Sequence, residues 1–135
     1  MKLFPLRLHP GQDLRAALEA ALTEYGHGAG AGFVLQGIGS LGVAQLRLAG
    51  AEQPTELRGD LEILTLAGSL APDGAHLHMA LADAQGRVLG GHVAPGCIVR
   101  TTAEMLIAFL PDHEFSREPD LAGSGYRELV VRPRP

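Results

Sequence analysis

Three histidines with the spacing of a metal site lie within a short stretch of this chain. His76 and His78 flank Leu77, and His92 follows Gly90-Gly91 a little further on. Imidazole is the commonest protein ligand for zinc and related metals, and three imidazoles with one open position form a recurrent metal-site composition. Strand register decides whether the three can meet. On a strand, residues i and i+2 share a face and lie roughly 6.6–7 Å apart. His76 and His78 therefore point the same way, while Leu77, Met79 and Leu81 form the opposite, core-facing row. Asp83-Ala84-Gln85-Gly86 has the composition of a turn, with glycine available for a left-handed position, so Arg87 to Val93 reads as the return strand. If paired residue numbers sum to 168 or 170, His92 stands opposite His76 or His78, with Cβ atoms about 4.5–5.5 Å apart. A sum of 169 sends His92 into the other face. The even registers also place Leu89 and Val93 in the apolar row, which selects them. The expected metal ligands are His76, His78 and His92, and the expected metal is zinc or another divalent transition metal.

Other residues able to do chemistry carry less. Glu62 and Glu104 are acids set in apolar strand-like runs. Alternation alone would turn each to the polar face. Glu62 is also a candidate catalytic residue, as a fourth ligand, a partner behind a ligand or a general base beside zinc, because carboxylates are rarely buried without a partner. Gly37-Ile38-Gly39-Ser40-Leu41-Gly42 has dinucleotide-motif spacing, but Val43 to Leu48 then alternates as a strand. Without a helix N-terminus nothing there receives a pyrophosphate, and the segment reads as a bend between two strands. Cys97 reads as a small buried residue. His9, His27 and His113 read as ordinary surface residues, and Ser40 has no visible relay to make it a nucleophile.

The bulk properties exclude several classes. At 135 residues the chain is one domain able to bury a core unaided. Fifteen acids against eleven bases give a net charge of −4, and the arginines are scattered singly, so composition argues against affinity for DNA by phosphate neutralisation. A single cysteine rules out a disulfide framework and suits a reducing compartment, which we take to be the cytoplasm. The start, broken by Pro5 and Arg7, does not read as a signal peptide, and no apolar run approaches the roughly 18 residues of a membrane span.

The elements that must position the histidines follow from pattern. Leu3 to Leu8 reads as a strand. Leu14, Leu18 and Leu22 repeat at helical spacing, with Asp13 in the first turn and Gly26 as the stop. Gly32–Ile38 and Val43–Leu48 read as separate strands, and Glu56–Leu70 as a long one with Gly68 at a bulge or turn. Ala103–Leu110, ambiguous by pattern, is read as strand beside Pro111. Arg117–Ser124 reads as loop, Tyr126–Val131 as a last strand, and Arg132-Pro133-Arg134-Pro135 as a frayed tail. One early helix followed by six or seven strands predicts an α+β domain with a largely antiparallel sheet.

Several of these segments together resemble one known family. Leu8 to Leu14, Gly37 to Ser40, Glu62 to Gly68, His76-Leu77-His78, Gly90-Gly91-His92 and Thr102 to Glu104 resemble, in order, the plants-and-prokaryotes-conserved (PPC) domain, over roughly Arg7 to Val131. The resemblance implies a single α+β domain, a bent, mainly antiparallel sheet packed around a helix, that assembles as a homotrimer. It also implies a metal, typically zinc, on His76, His78 and His92. Plant members join the domain to AT-hooks that bind DNA, and stand-alone bacterial members often carry a DNA-binding label. Here the AT-hook core Arg-Gly-Arg-Pro is absent, and the plant partner-binding hexapeptide Gly-Arg-Phe-Glu-Ile-Leu becomes Gly59-Asp60-Leu61-Glu62-Ile63-Leu64, with an acid in place of arginine. The expected function is a metal-binding trimeric module in DNA-associated or transcriptional complexes. The alternatives are a zinc-dependent hydrolase or lyase, or a binder of a small metabolite at the three-histidine site.

Overall fold

The computed structural model describes residues 1 to 135. Strand β1 (Lys2–Leu8) leads into helix α1 (Leu14–Tyr25), followed by β2 (Gly32–Arg47), β3 (Thr55–Ala71), β4 (Gly74–Ala82), β5 (Val88–Val93), β6 (Ile98–Phe109), β7 (His113–Pro119) and β8 (Arg127–Pro133). The first six strands form one sheet in the order β1-β6-β2-β3-β4-β5, and β7 and β8 form a separate hairpin. Every pairing between strands is antiparallel, so the expected α+β class holds. The sheet curls until β5, already paired with β4, also meets the far end of β2 through Leu46 and Arg47.

Helix α1 seals the concave side. Leu14, Leu18, Ala21 and Leu22 are buried on one stripe, each leucine contributing about 1.5–3 kcal/mol by leaving water. Asp13 caps the helix by accepting from the Ala16 N–H at 3.0 Å, and its other oxygen accepts from the Gly96 N–H at 2.7 Å. One carboxylate thus fixes the helix N-terminus to the turn before β6, stabilising it by about 1 kcal/mol as a cap. The main core joins α1 to residues from all six strands of the curled sheet, and Cys97 lies within it. A second, small core of Ala31, Ala71 and Phe115 sits under the β7–β8 hairpin.

Four local expectations need correction. Gly32–Ile38 and Val43–Leu48 belong to one strand, β2, bent by register shifts that include one between Leu41 and Val43. The glycine-rich segment is therefore a kink inside a strand, with no helix after it. Gly68 lies within the ladder opposite Leu77, and the irregularity in β3 falls instead between Ile63 and Thr65. Arg117 to Pro119 is strand, because β7 pairs with β8 throughout its length and buries Phe115. The tail is held rather than frayed: Arg132 pairs with Glu118 at 2.7 Å, and the Arg134 N–H donates to the Asp112 carbonyl at 2.8 Å. Charge and proline in Glu114 to Pro119 hide the strand's alternation, whose only large apolar member is Phe115. No helix is long and apolar enough to cross a membrane.

Candidate metal centre

Strands β4 and β5 pair with His78 opposite His92 and Leu81 opposite Leu89, a sum of 170 and one of the two even registers expected. On the core side Leu77, Met79, Leu81 and Val93 are buried, while Leu89 at the hairpin end is 36% exposed. On the other face the three imidazoles converge. Their ring centroids lie 4.9 Å (His76–His78), 5.2 Å (His76–His92) and 4.5 Å (His78–His92) apart. Each offers one nitrogen within 4.8 Å of the others, and His78 Nε2 stands 3.0 Å from His92 Nδ1. Nitrogens bound at about 2.0–2.1 Å to one tetrahedral ion are themselves roughly 3.3 Å apart, so the trio fits such an ion with small side-chain adjustments.

Two glycines make the convergence possible by letting backbones close in. A Cβ on Gly68 would fall on the carbonyl oxygen of His76 across the β3–β4 ladder, and one on Gly91 would come within 2.9 Å of the Arg47 carbonyl oxygen. The glycine beside His92 therefore admits β2 against β5, rather than leaving room around the rings.

The surroundings are cationic. Arg117 Nη1 lies 3.1 Å from His76 Nδ1, and since a guanidinium only donates, that ring nitrogen accepts. Desolvation, then Arg117, His78 and His92, push His76 down to about 4, against a small opposing pull from Glu128. Desolvation first, then Arg47, His78, Arg117 and Arg15, also lower His92. Both rings are thus neutral at neutral pH, the form a metal requires. The same shifts set a pH dependence. Between the ordinary histidine value of 6.5 and about 4, the unfolded chain binds a proton at His76 that the folded chain refuses. Metal-free protein should lose stability as pH falls through that window, and His76→Gln should flatten the loss. Melting temperatures of both proteins measured across the window check this; equal slopes would contradict it.

Glu62 is not part of this centre. It is exposed and stands opposite Ala82, four positions along β4 from His78. Glu104 is exposed opposite Arg7 and Ile38; alternation accounts for both acids. Cys97 is buried with its sulfur 3.3 Å from the Gln45 nitrogen, and burial first of all raises its thiol pKa, making it inert. His9, His27 and His113 are exposed, and buried Ser40 bonds Thr101 with no histidine behind it. The arginines beside the trio were hidden by their spread along the sequence. Arg47 could have been found from its register with His92; Arg117 lies on the strand that pattern failed to reveal.

Known proteins bear out this architecture. The chain is 50% identical over 133 residues to the bifunctional protein GlmU of Synechococcus sp. (strain JA-2-3B'a(2-13)), covering 98% of this chain and 21% of the relative. It thus spans about a fifth of the curated relatives it matches. A structure from Salmonella cholerae-suis (Salmonella enterica) superposes with a TM-score of 0.93 at 42% identity, covering 99% of this chain and 95% of that one. A metal-containing protein from Archaeoglobus fulgidus superposes at 0.78 with 27% identity, covering 96% and 94%. A candidate DNA-binding protein from Bacteroides thetaiotaomicron, at 0.80 and 21% identity over 95% and 91%, shares the fold. The Plants and Prokaryotes Conserved (PCC) domain description matches residues 1–111, which takes in β1 to β6 and all three histidines. The chain belongs to the Plants and Prokaryotes Conserved domain family.

Proposed function

We propose that this domain is a metal-binding module that holds one divalent transition metal, zinc foremost, on His76, His78 and His92 and works as a homotrimer. The carrying observation is the convergence of three imidazoles on one face of the β4–β5 ladder. The metal-containing description of the Archaeoglobus relative supports the same reading. Self-assembly is supported by an apolar patch on the three adjacent strands β6, β2 and β3, where Leu35 and Ile38 are 50% exposed, Leu64 48% and Leu106 37%. Through the family, the setting is DNA-associated or transcriptional complexes in the cytoplasm. With a net charge of −4, contact with DNA would run through partners rather than through this chain's own phosphate contacts.

A second reading, a centre that binds or transforms a small molecule as a hydrolase or lyase would, is favoured by a cleft of about 450 Å³ beside His76 and His92. Bound zinc would supply Lewis acidity there. The experiment for the first reading is metal analysis of untagged protein after zinc loading, with sedimentation for mass. One zinc per chain and a three-chain mass are expected; no retained metal after loading would overturn the metal centre, and a monomer would overturn the assembly.

A further inference from the structure

The cleft beside the histidines is walled by arginines drawn from four separate elements: Arg15 on α1, Arg47 on β2, Arg117 on β7 and Arg127 on β8. Arg15 is neutralised by Glu19 at 3.0 Å. The other three form no ion pair. Arg47 donates to the Ala51 carbonyl, and Arg117 and Arg127 each donate to the other's backbone carbonyl. Asp73 is the one acid lining the cleft, and one of its oxygens already accepts from the Arg117 N–H at 3.0 Å. Three imidazoles bring no negative charge to a metal, so a dication held there keeps its full charge beside unpaired guanidiniums. Partly buried like charges at this density need a counter-anion.

Arg117 adds a second argument. It donates to His76 Nδ1, a bond that a bound metal cannot leave intact. A metal on Nδ1 displaces the guanidinium, and a metal on Nε2 requires Nδ1 to carry the ring proton, setting donor against donor. Metal binding therefore frees the Nη1 end of the Arg117 guanidinium at the cleft, while Nη2 keeps its bond to the Arg127 carbonyl, and charged guanidinium N–H groups donate strongly to phosphate and carboxylate oxygens.

We propose that this cleft binds a small ligand through an oxyanion group, phosphate or carboxylate, gripped by Arg47 and Arg117 beside the histidines that would hold the metal. The proposal rests on the metal centre argued above and deepens it by naming the ligand chemistry. The cleft volume, about 450 Å³, is that of a metabolite site. Linkage makes metal and anion bind cooperatively, each raising the other's affinity by the same factor.

The test uses the full chain and cobalt(II), whose visible spectrum reports its ligands. Cobalt uptake is measured first in buffer free of oxyanions. Inorganic phosphate or acetate is then titrated into metal-loaded and metal-free protein, with chloride at matched ionic strength as control. The expected result is saturable binding with a changed cobalt spectrum, at least about tenfold tighter with metal than without. Arg47→Gln and Arg117→Gln should each weaken it about 10- to 100-fold, the usual range for a lost charge-assisted hydrogen bond, while still taking up cobalt. Preference for phosphate or for acetate tells which oxyanion class the site favours. Failure to take up cobalt overturns the metal centre itself. Cobalt uptake with no oxyanion effect, or an effect that survives both substitutions, overturns this inference alone.

Discussion

His92→Ala abolishes stoichiometric zinc binding and leaves the domain folded. His92 is the one ligand on β5, and it reaches the pair on β4 only because the ladder runs with His78 opposite His92. Removing it leaves two imidazoles, His76 and His78, on one strand without a third donor. Nothing in the cluster can replace it, since no carboxylate or thiol joins the three histidines. The backbone has little reason to change. The His92 side chain is only partly buried on the solvent side of the ladder, whereas its neighbour Val93 is buried. A near-native melting temperature with metal-free protein, and loss of retained zinc, are the expected results. Retention of one zinc per chain by the variant would move the site elsewhere.

Gly68→Ala is expected to damage both the fold and the centre. The backbone at Gly68 has φ +153°, and an added Cβ would strike the carbonyl of His76 and crowd Leu77 Cα at 2.8 Å. The clash is with backbone on both counts, so no side-chain rotation relieves it. The β3–β4 ladder must open where it carries His76. We expect a loss of at least about 2 kcal/mol of stability, the scale of one strained backbone position, together with weakened zinc binding. Denaturant unfolding and zinc titration of the same preparation check both. Wild-type stability would contradict the packing described for this ladder.

These two residues also show what was legible from the sequence. The histidine register could be reasoned out because the core-facing row is apolar and the opposite row is not, so only even pairings bury Leu77, Met79 and Val93 together. Helix α1 was equally plain, since one leucine stripe fits only one period. Gly68 reads from sequence as a bulge or turn, but it sits in a regular ladder and is required by the close approach of the His76 carbonyl on β4, a contact that local pattern does not show. The last strand, Tyr126–Val131, matches β8, but its partner β7 does not show in the pattern, because their pairing rests on Arg132 with Glu118 and on a single buried aromatic, Phe115, rather than on an apolar alternation. With that strand unseen, Arg117 could not be placed, and neither could the meeting of Arg15, Arg47, Arg117 and Arg127. Glu62, an acid in an apolar strand that could serve chemistry or simply alternation, is exposed opposite Ala82 and away from the trio, where alternation alone would place it.

The central claim is that one metal ion sits on His76, His78 and His92. The most direct measurement is a crystal structure of the zinc-loaded protein with diffraction recorded on both sides of the zinc absorption edge. The expected result is a single anomalous peak about 2.0–2.1 Å from one nitrogen of each of these three histidines. A peak bound by other residues, or none at the trio in zinc-loaded crystals, would contradict it.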